Sequence, residues 1–259
     1  MTLLWLARRL TEHGYVVAAV NHHGNTGDEP KYDARGFRLF WERPRDISMA
    51  IDRVLHDPMF AGKIDARRIG VAGFSLGGYT VIALGGGIVD IARLEEFCQS
   101  PQRDFTCEPQ QEFPDAASQF EALAKTDPYV QESIRHASDS YRDNRIRAVF
   151  AIAPVLANAF PEKSLGGISV PVAIVVGDAD RVAPAATNAS LFARRIPNAK
   201  LSVLPGGVGH YTFLAQCTEF GVREVPICKD EQGVDRGRIH EQVANQAIAF
   251  FDRALQIRR

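Results

Sequence analysis

The sequence Arg68-Ile69-Gly70-Val71-Ala72-Gly73-Phe74-Ser75-Leu76-Gly77-Gly78 predicts a buried strand that ends in a sharp turn. The residues after it, Tyr79-Thr80-Val81-Ile82-Ala83-Leu84, can continue as a helix. Ser75 therefore stands at the apex of a strand–turn–helix unit. So tight a turn needs neighbours without side-chain bulk, and Gly73 and Gly77 flank the serine.

The turn matches the pattern Gly-x-Ser-x-Gly, in which a serine sits at a strained strand-to-helix turn with its hydroxyl exposed. Such a serine can act as a nucleophile, and the backbone N–H of Leu76 would be free to donate to a developing oxyanion. The alternative is a glycine-rich turn with a bystander serine, because short motifs recur by chance. The residues that follow the other strands bear on this choice.

The composition is that of a globular protein, with 259 residues of which 46% are hydrophobic and 24% charged. This length suits one α/β domain or two small ones, and we interpret residues 1–259 as a single domain.

The net charge of −1 gives no electrostatic basis for binding nucleic acid. No apolar run is long enough for a membrane span. Residues 1–10 predict an amphipathic helix and lack the features of a signal peptide.

The four cysteines fall into two close pairs, Cys98 with Cys107 and Cys217 with Cys228, and each pair brackets a polar loop that contains proline. We expect two local disulfides; the alternative is four unpaired thiols in a cytosolic enzyme. Disulfides require an oxidising compartment, so a periplasmic or secreted location and a cytoplasmic one both stay open. No Cys/His cluster has the spacing of a zinc site, and neither a metal nor an organic cofactor is expected.

Apolar, β-branched runs predict several buried strands. They cover residues 15–20, the stretch before Ser75, 146–153, 170–176 and 200–204. Amphipathic spacing predicts helices at 5–12, 46–56, 187–196 and 242–257, and the helix after the turn covers 79–84. Strands that alternate with helices and are apolar throughout indicate an α/β fold, with a mostly parallel sheet and helices on both faces.

Residues from about 88 to 145 are polar and punctuated by prolines. We interpret them as an insertion with helices at 119–125 and 130–141, too poor in apolar residues to hold a core of its own. The insertion is therefore expected to lie over the main body and to shape a substrate pocket beneath it. Phe74, Trp41 and Tyr211 are candidates to line that pocket, although ordinary packing explains each of them at least as well.

Further polar groups follow two of the later strands. Asp178 and Asp180 come after one strand and His210 after the next, and the carboxyl ends of parallel strands are where such sheets bind ligands. His210 can take the proton of Ser75 and return it to a leaving group, while a carboxylate fixes the imidazole. Asp180 is favoured as that carboxylate, and Asp178 is expected to hydrogen-bond the backbone of its own loop.

The other histidines are less suited to the role of base. They lie in or next to predicted helices or follow the first strand: His13, His22, His23, His56, His136 and His240. Only His240 also follows both the serine and the aspartates, and it is too far from a strand end.

The chain resembles the α/β-hydrolase superfamily, in which the catalytic residues also follow the order serine, acid, histidine. Within it, the chain looks like the predicted dienelactone hydrolases related to platelet-activating factor acetylhydrolases and bacterial polyester-cleaving esterases. The matching segments are 5–7 with 14–26, 73–78, 177–184 and 209–214. The resemblance implies hydrolysis of small-molecule or lipid-like esters through an acyl-enzyme. Dienelactone hydrolases proper use a cysteine where this chain has Ser75, so lactone hydrolysis is not implied.

The resemblance also implies strands that the sequence lacks. Related folds have several strands before the helix at 5–12, and a loop after the third supplies a second oxyanion N–H. The segment 20–24 could be that loop only if another strand lay between residues 24 and 69, and none is predicted. We therefore expect a fragment whose first strands, second oxyanion donor and any export signal lie upstream, with an exposed sheet edge.

The sequence therefore predicts a serine carboxylic-ester hydrolase, with Ser75 as nucleophile, His210 as base and acid, Asp180 as orienting carboxylate and the Leu76 N–H as an oxyanion donor. One alternative is a catalytically impaired fragment or a binding module. Another is a peptidase or a thioesterase that uses the same three side chains.

Overall fold

The computed structural model of the chain describes residues 2–110 and 112–257. Its centre is a sheet of four parallel strands in the order β1-β2-β3-β4, with helices around it. The α/β class and the parallel sheet expected from the sequence are thereby confirmed. The strands are β1 (Ile69–Phe74), β2 (Ile146–Ile152), β3 (Val172–Gly177) and β4 (Lys200–Leu204).

Most of the predicted helices form close to the predicted bounds, because amphipathic spacing is a local signal. Along the described chain the helices are α1 (Leu4–Glu12), α2 (Ala34–Arg38), α3 (Arg43–His56), α4 (Leu76–Leu84), α5 (Ile91–Gln99), α6 (Ala116–Thr126), α7 (Pro128–Arg135), α8 (Glu162–Gly166), α9 (Ala189–Arg195), α10 (Glu219–Glu224) and α11 (Arg236–Ala254). None of the described helices is long and apolar enough to cross a membrane.

Two helices differ from their predicted bounds by six residues at one end, where local polar contacts are found. α7 ends at Arg135 and not near residue 141, because the next residues form turns in which the hydroxyl of Tyr141 donates to the carbonyl of His136. α11 begins six residues before the predicted start at 242, with Asp235 as its N-cap. The Asp235 carboxylate accepts a hydrogen bond from the N–H of Arg238 and so satisfies one of the unpaired donors of the first turn.

The sheet is covered by helices on both faces. At Gly70 of β1 a side chain would meet the ring of Phe251 in α11, whereas at Gly73 it would meet Gly77 in α4. Since successive strand residues point to opposite faces, α11 and α4 lie on opposite sides of the sheet. β3 is buried along its whole length, as a strand between two helical layers should be.

The strand predicted at 15–20 does not form. Among the described residues, the backbone of 16–20 makes no hydrogen bond to other backbone groups, and β1 pairs only with β2. The segment is also less buried than its composition suggests, since Val16 is 50% exposed. An apolar run becomes a strand only when a neighbouring strand pairs with its N–H and C=O groups, and no such neighbour is available here.

The segment 88–145 carries α5, α6 and α7 and contacts the main body through its side chains. Arg35 of α2 forms a salt bridge with Asp127, and the indole N–H of Trp41 donates to Ser133 of α7. Both predicted disulfides, Cys98–Cys107 and Cys217–Cys228, are present. Cross-links of this kind typically contribute about 2–4 kcal/mol, largely by restricting the unfolded chain.

The turn at Ser75 depends on one very close backbone approach. A side chain at Gly73 would place its Cβ 2.1 Å from the carbonyl oxygen of Gly77, whereas a Cβ at Gly77 would meet nothing within 4 Å. Only the first of the two flanking glycines is therefore required for space, and the expectation that both are needed is wrong for Gly77. Ser75 itself has φ 55° and ψ −116°, a conformation that costs a non-glycine residue about 1–3 kcal/mol.

The two glycines give a matched test of this approach. Gly73→Ala is expected to lower the free energy of unfolding by about 1–3 kcal/mol or more, because the methyl group overlaps a backbone carbonyl that cannot move without breaking the turn. Gly77→Ala is expected to keep that free energy or raise it by up to about 1 kcal/mol, since alanine favours a helix. Urea unfolding of both variants measures the difference. Equal stabilities would contradict the assigned turn geometry.

A polar cluster joins the start of β2 to the helices beside it. The Asp143 carboxylate accepts from the hydroxyl of Ser48 in α3 at 2.8 Å and from the guanidinium of Arg145 at 2.6 Å, and its backbone N–H donates to Leu84 at the end of α4. Hydrogen bonds from the Arg145 side chain lower the pKa of Asp143 to about 2. Ionisation of Asp143 therefore supports the side-chain bonds to Ser48 and Arg145, which link α3 to the start of β2, while the backbone bond to α4 does not depend on it.

Stability should consequently fall in acid. The pKa of Asp143 lies below its unfolded value of about 3.9, so the contribution of this group is complete above pH 4 and is lost as the pH falls toward 2. Asp143→Asn is expected to lower the free energy of unfolding at pH 7 and to flatten its decline between pH 4 and 2. Asp115→Asn, a change at an exposed aspartate, is the control and should leave that slope intact. Urea unfolding across this pH range provides the measurement.

Candidate active site

Three side chains that follow three different strands are connected by hydrogen bonds. The hydroxyl oxygen of Ser75 lies 2.9 Å from Nε2 of His210, and Nδ1 of the same ring lies 2.8 Å from Oδ2 of Asp180. Ser75 follows β1, Asp180 follows β3 and His210 follows β4. The structure thus brings together the three residues that the sequence analysis singled out.

The serine is held by both elements that it joins. Its N–H donates to the carbonyl of Ile152 at 2.9 Å, which extends the β1–β2 ladder by one residue, and its carbonyl accepts from Tyr79 in α4. Leu76 is the first residue of α4, so its N–H has no partner within the helix. That N–H is the expected oxyanion donor, beside a serine that is only partly buried.

The Asp180 side chain is completely buried, and both of its oxygens are used. Oδ1 accepts from the N–H groups of Val182 at 3.0 Å and Ala183 at 2.7 Å, which leaves Oδ2 for His210. Buried carboxylates are stable as anions when several hydrogen bonds solvate them. The two backbone bonds also fix the direction in which the carboxylate faces the imidazole.

Asp178 has a different role from the one expected. Its oxygens accept from the N–H groups of Gly206, Gly207 and Val208, at 2.9, 2.9 and 3.1 Å, and these residues belong to the loop that carries His210. The prediction that Asp178 bonds its own loop is therefore wrong. The reason is tertiary, because β3 and β4 are neighbours and their following loops run side by side.

The loop after β3 (residues 178–183, the acid loop) and the loop after β4 (residues 205–209, the histidine loop) also meet through their backbones. The N–H of Asp178 donates to Leu204, and that of Ala179 donates to Val208. A Cβ at Gly177 would lie 1.9 Å from the carbonyl oxygen of Val208, so this close approach requires glycine. The β3–β4 pairing thus continues beyond the strands and sets the spacing between Asp180 and His210.

The short 3-10 turn at His210–Phe213 is held by distant residues that the sequence analysis did not identify. The indole N–H of Trp5 donates to the carbonyl of Phe213 at 3.0 Å, and the ring of His240 stacks on Trp5 with centroids 4.3 Å apart. His240 Nε2 also donates to the carbonyl of Thr212, and burial lowers the pKa of this histidine. His240 is therefore a support for the turn and not a rival base.

An ion pair completes this support. Asp230 accepts from the hydroxyl of Thr212 at 2.7 Å and from the guanidinium of Arg236 at 2.8 Å, and Arg236 also donates to the carbonyls of Ala215 and Ile227. These residues are separated from one another by up to two dozen positions, and no local pattern marks them. Only the folded chain shows that they jointly hold the turn at His210–Phe213 in place.

The three candidate pocket residues occupy different environments. The rings of Phe74 and Tyr211 lie 4.7 and 5.5 Å from that of His210, so both border the histidine. Trp41 is 4% exposed and its indole N–H is bonded to Ser133, which leaves no surface for a substrate. Trp41 is therefore a core residue, and its large apolar ring gave no means of distinguishing the two roles in the sequence.

The segment 20–24, considered above as a possible oxyanion loop, is bonded to α3 through His22. Nδ1 of His22 lies 2.6 Å from the carboxylate of Asp46 in α3, and burial lowers the pKa of this histidine. No strand lies between residues 24 and 69 among those described, as expected from the sequence.

A cavity of about 870 Å³ lies between the segment 26–34, residues 112–113 and one side of α6. Tyr32 and Phe113, with ring centroids 6.2 Å apart, form part of its wall. None of the three connected side chains lines it. Burial raises the pKa of the Tyr211 phenol, and the negative charge of Glu112, at the edge of this cavity, adds to that effect.

No protein-family model and no curated protein matches the chain. The described residues contain no group of three or more histidine, cysteine or acidic side chains that could hold a metal ion.

The contribution of the three hydrogen bonds between Asp178 and the histidine loop to stability can be measured directly. Asp178→Ala removes the acceptor for three N–H groups and is expected to lower the free energy of unfolding by about 1–3 kcal/mol. Glu95→Ala, a change at an exposed acidic residue of α5, removes the same charge and should have an effect within about 0.5 kcal/mol. Urea unfolding at pH 7 compares the two. A loss no larger than in the control would mean that the three bonds contribute nothing to stability.

Proposed function

We propose that the chain is a serine hydrolase that cleaves carboxylic esters through an acyl-enzyme. The observation that carries the proposal is the continuous hydrogen-bonded series from the Ser75 hydroxyl through His210 to the buried carboxylate of Asp180. A serine hydroxyl is a weak nucleophile unless a base lies within hydrogen-bond reach, and that base is effective only when a third group fixes its ring. Both conditions are met by these side chains.

In the first half of the reaction, Nε2 of His210 accepts the proton of the Ser75 hydroxyl as its oxygen attacks the ester carbonyl. The imidazolium that forms is stabilised by Asp180 through Nδ1–H, and the carboxylate stays ionised. The N–H of Leu76 donates a hydrogen bond to the carbonyl oxygen as negative charge develops on it. The imidazolium then gives its proton to the leaving alcohol, and an ester of Ser75 remains.

In the second half, His210 takes a proton from water, and the resulting hydroxide equivalent attacks the Ser75 ester. Collapse of the second tetrahedral intermediate releases the acid and returns the proton to the serine oxygen. The partial exposure of Ser75 supports this step, since water must reach the acyl group while the Asp180 carboxylate stays dry.

We propose further that the fold is of the α/β-hydrolase type. The order of serine, acid and histidine along the chain, each directly after a parallel strand, supports this assignment. The sharp turn at Ser75, with its positive φ, supports it as well. The proposed substrates are small-molecule or lipid-like esters, and the aromatic rings of Phe74 and Tyr211 beside His210 support this choice.

The test is labelling and hydrolysis by the whole chain. A fluorophosphonate should modify Ser75, as identified by mass spectrometry of the labelled peptide, and p-nitrophenyl esters should be hydrolysed. Ser75→Ala is expected to abolish labelling and to lower kcat by about 10⁴- to 10⁶-fold, and Asp180→Asn to lower kcat by about 10⁴-fold. Ser118→Ala, at an exposed serine of α6, is the control and should retain wild-type activity.

Two results would count against the proposal. Full ester hydrolysis by Ser75→Ala would remove the serine from the mechanism, and absence of both labelling and hydrolysis in the wild-type chain would favour a binding module. A peptide anilide and an acyl-thioester, assayed beside the ester, distinguish a peptidase or a thioesterase that uses the same three residues.

A further inference from the structure

The loop between Cys98 and Cys107 holds a carboxylate that the proposed reaction does not use. Asp104 caps a 3-10 turn, Phe105–Cys107, and the disulfide closes the loop around it. Oδ1 of Asp104 accepts from the backbone N–H and the hydroxyl of Thr106, inside the loop. Oδ2 is not needed for the turn and bonds elsewhere.

The second oxygen reaches a part of the chain more than eighty residues away. Asp104 Oδ2 accepts from the hydroxyl of Thr187 at 2.5 Å and from the side-chain amide of Asn188 at 2.9 Å. Asn188 is 1% exposed, and its amide oxygen accepts from the N–H of Ala157. Hydrogen bonds to an ionised acceptor are about twice as strong as those between neutral groups.

Thr187 and Asn188 form the end of a turn that continues directly from the acid loop. Their N–H groups donate to the carbonyl of Pro184 at 3.2 and 3.1 Å. The residue before Pro184 is Ala183, whose N–H donates to Asp180 Oδ1 at 2.7 Å. A movement of this turn would therefore move one of the two N–H groups that orient the Asp180 carboxylate.

The geometry points to Asp104 as a positioning residue, which holds the turn after the acid loop and thereby directs the Asp180 carboxylate toward His210. The disulfide belongs to the same arrangement, because it fixes the loop from which Asp104 reaches the turn. The inference rests on the proposed function, since it assigns to Asp104 an effect on catalysis. Small displacements of a catalytic group reduce the rate of the chemical step far more than they weaken substrate binding.

Asp104→Asn tests the inference with little change of shape. An amide can still accept from Thr106 with its oxygen, but its NH₂ group then faces the donors Thr187 and Asn188. We expect kcat for a p-nitrophenyl ester to fall about 10- to 100-fold while KM stays within about twofold. Thr106→Val is the matched control, because it removes only the hydroxyl bond inside the loop and should leave both constants unchanged.

A spectroscopic readout separates this inference from the proposed function. The proton between His210 Nδ1 and the Asp180 carboxylate gives a far-downfield ¹H NMR signal when the bond is ordered, whether or not the chain hydrolyses esters. The signal should broaden or shift upfield in Asp104→Asn and stay in place in Thr106→Val. Thr187→Val, which removes one of the two outward bonds, should cause a smaller change in the same direction, and it remains informative if Asp104→Asn does not fold.

An unchanged signal in Asp104→Asn would overturn the inference, and if that variant does not fold, an unchanged signal in Thr187→Val would do so. This holds even if kcat is lower, because the loss of activity would then arise outside the Asp180–His210 pair. A changed signal in Thr106→Val equal to that in Asp104→Asn would overturn it too, since general loosening of the loop would explain both. If the wild-type chain hydrolyses no ester, the proposed function fails, while the signal still decides whether Asp104 positions the pair.

Discussion

The structure depends on the close approach of two backbone segments at the turn after β1. Gly73 and the carbonyl of Gly77 come so near that any side chain at residue 73 would overlap it. This approach holds Ser75 in a strained conformation, at a cost of about 1–3 kcal/mol. The strain is sustained because both neighbours of the turn are anchored: β1 is paired along its length with β2, and α4 is buried from Gly78 to Leu84.

The parallel arrangement of the strands accounts for the rest of the site. Strands that run in the same direction end at the same edge, so residues far apart in sequence meet there. The backbone bonds from Asp178 to Leu204 and from Ala179 to Val208 carry the β3–β4 ladder past the ends of the strands. The distance between Asp180 and His210 is therefore set by the pairing of β3 with β4 and by its continuation into the loops that follow them.

Supports from outside the sheet hold the two loops in place. The histidine turn is bonded by Trp5 of α1 and by His240 of α11, which stack on one another. The turn after the acid loop is bonded by Asp104 from a disulfide-closed loop. Regions near both ends of the chain and the segment 88–145 thus converge on residues 180–213. This convergence surrounds the three side chains with hydrogen-bonded neighbours that fix their mutual geometry.

The sequence by itself determined the α/β class, the two disulfides, most helices, and the identity of the three side chains that meet. These follow from local signals: apolar periodicity, the glycines around Ser75, and polar residues just after apolar runs. It did not determine the partner of Asp178, the burial of Trp41, or the supports at Trp5, His240 and Asp104. It also predicted a strand at 15–20 that does not form. Each of these depends on which distant backbone or side chain lies alongside, and a residue's own neighbours in sequence carry no information about that.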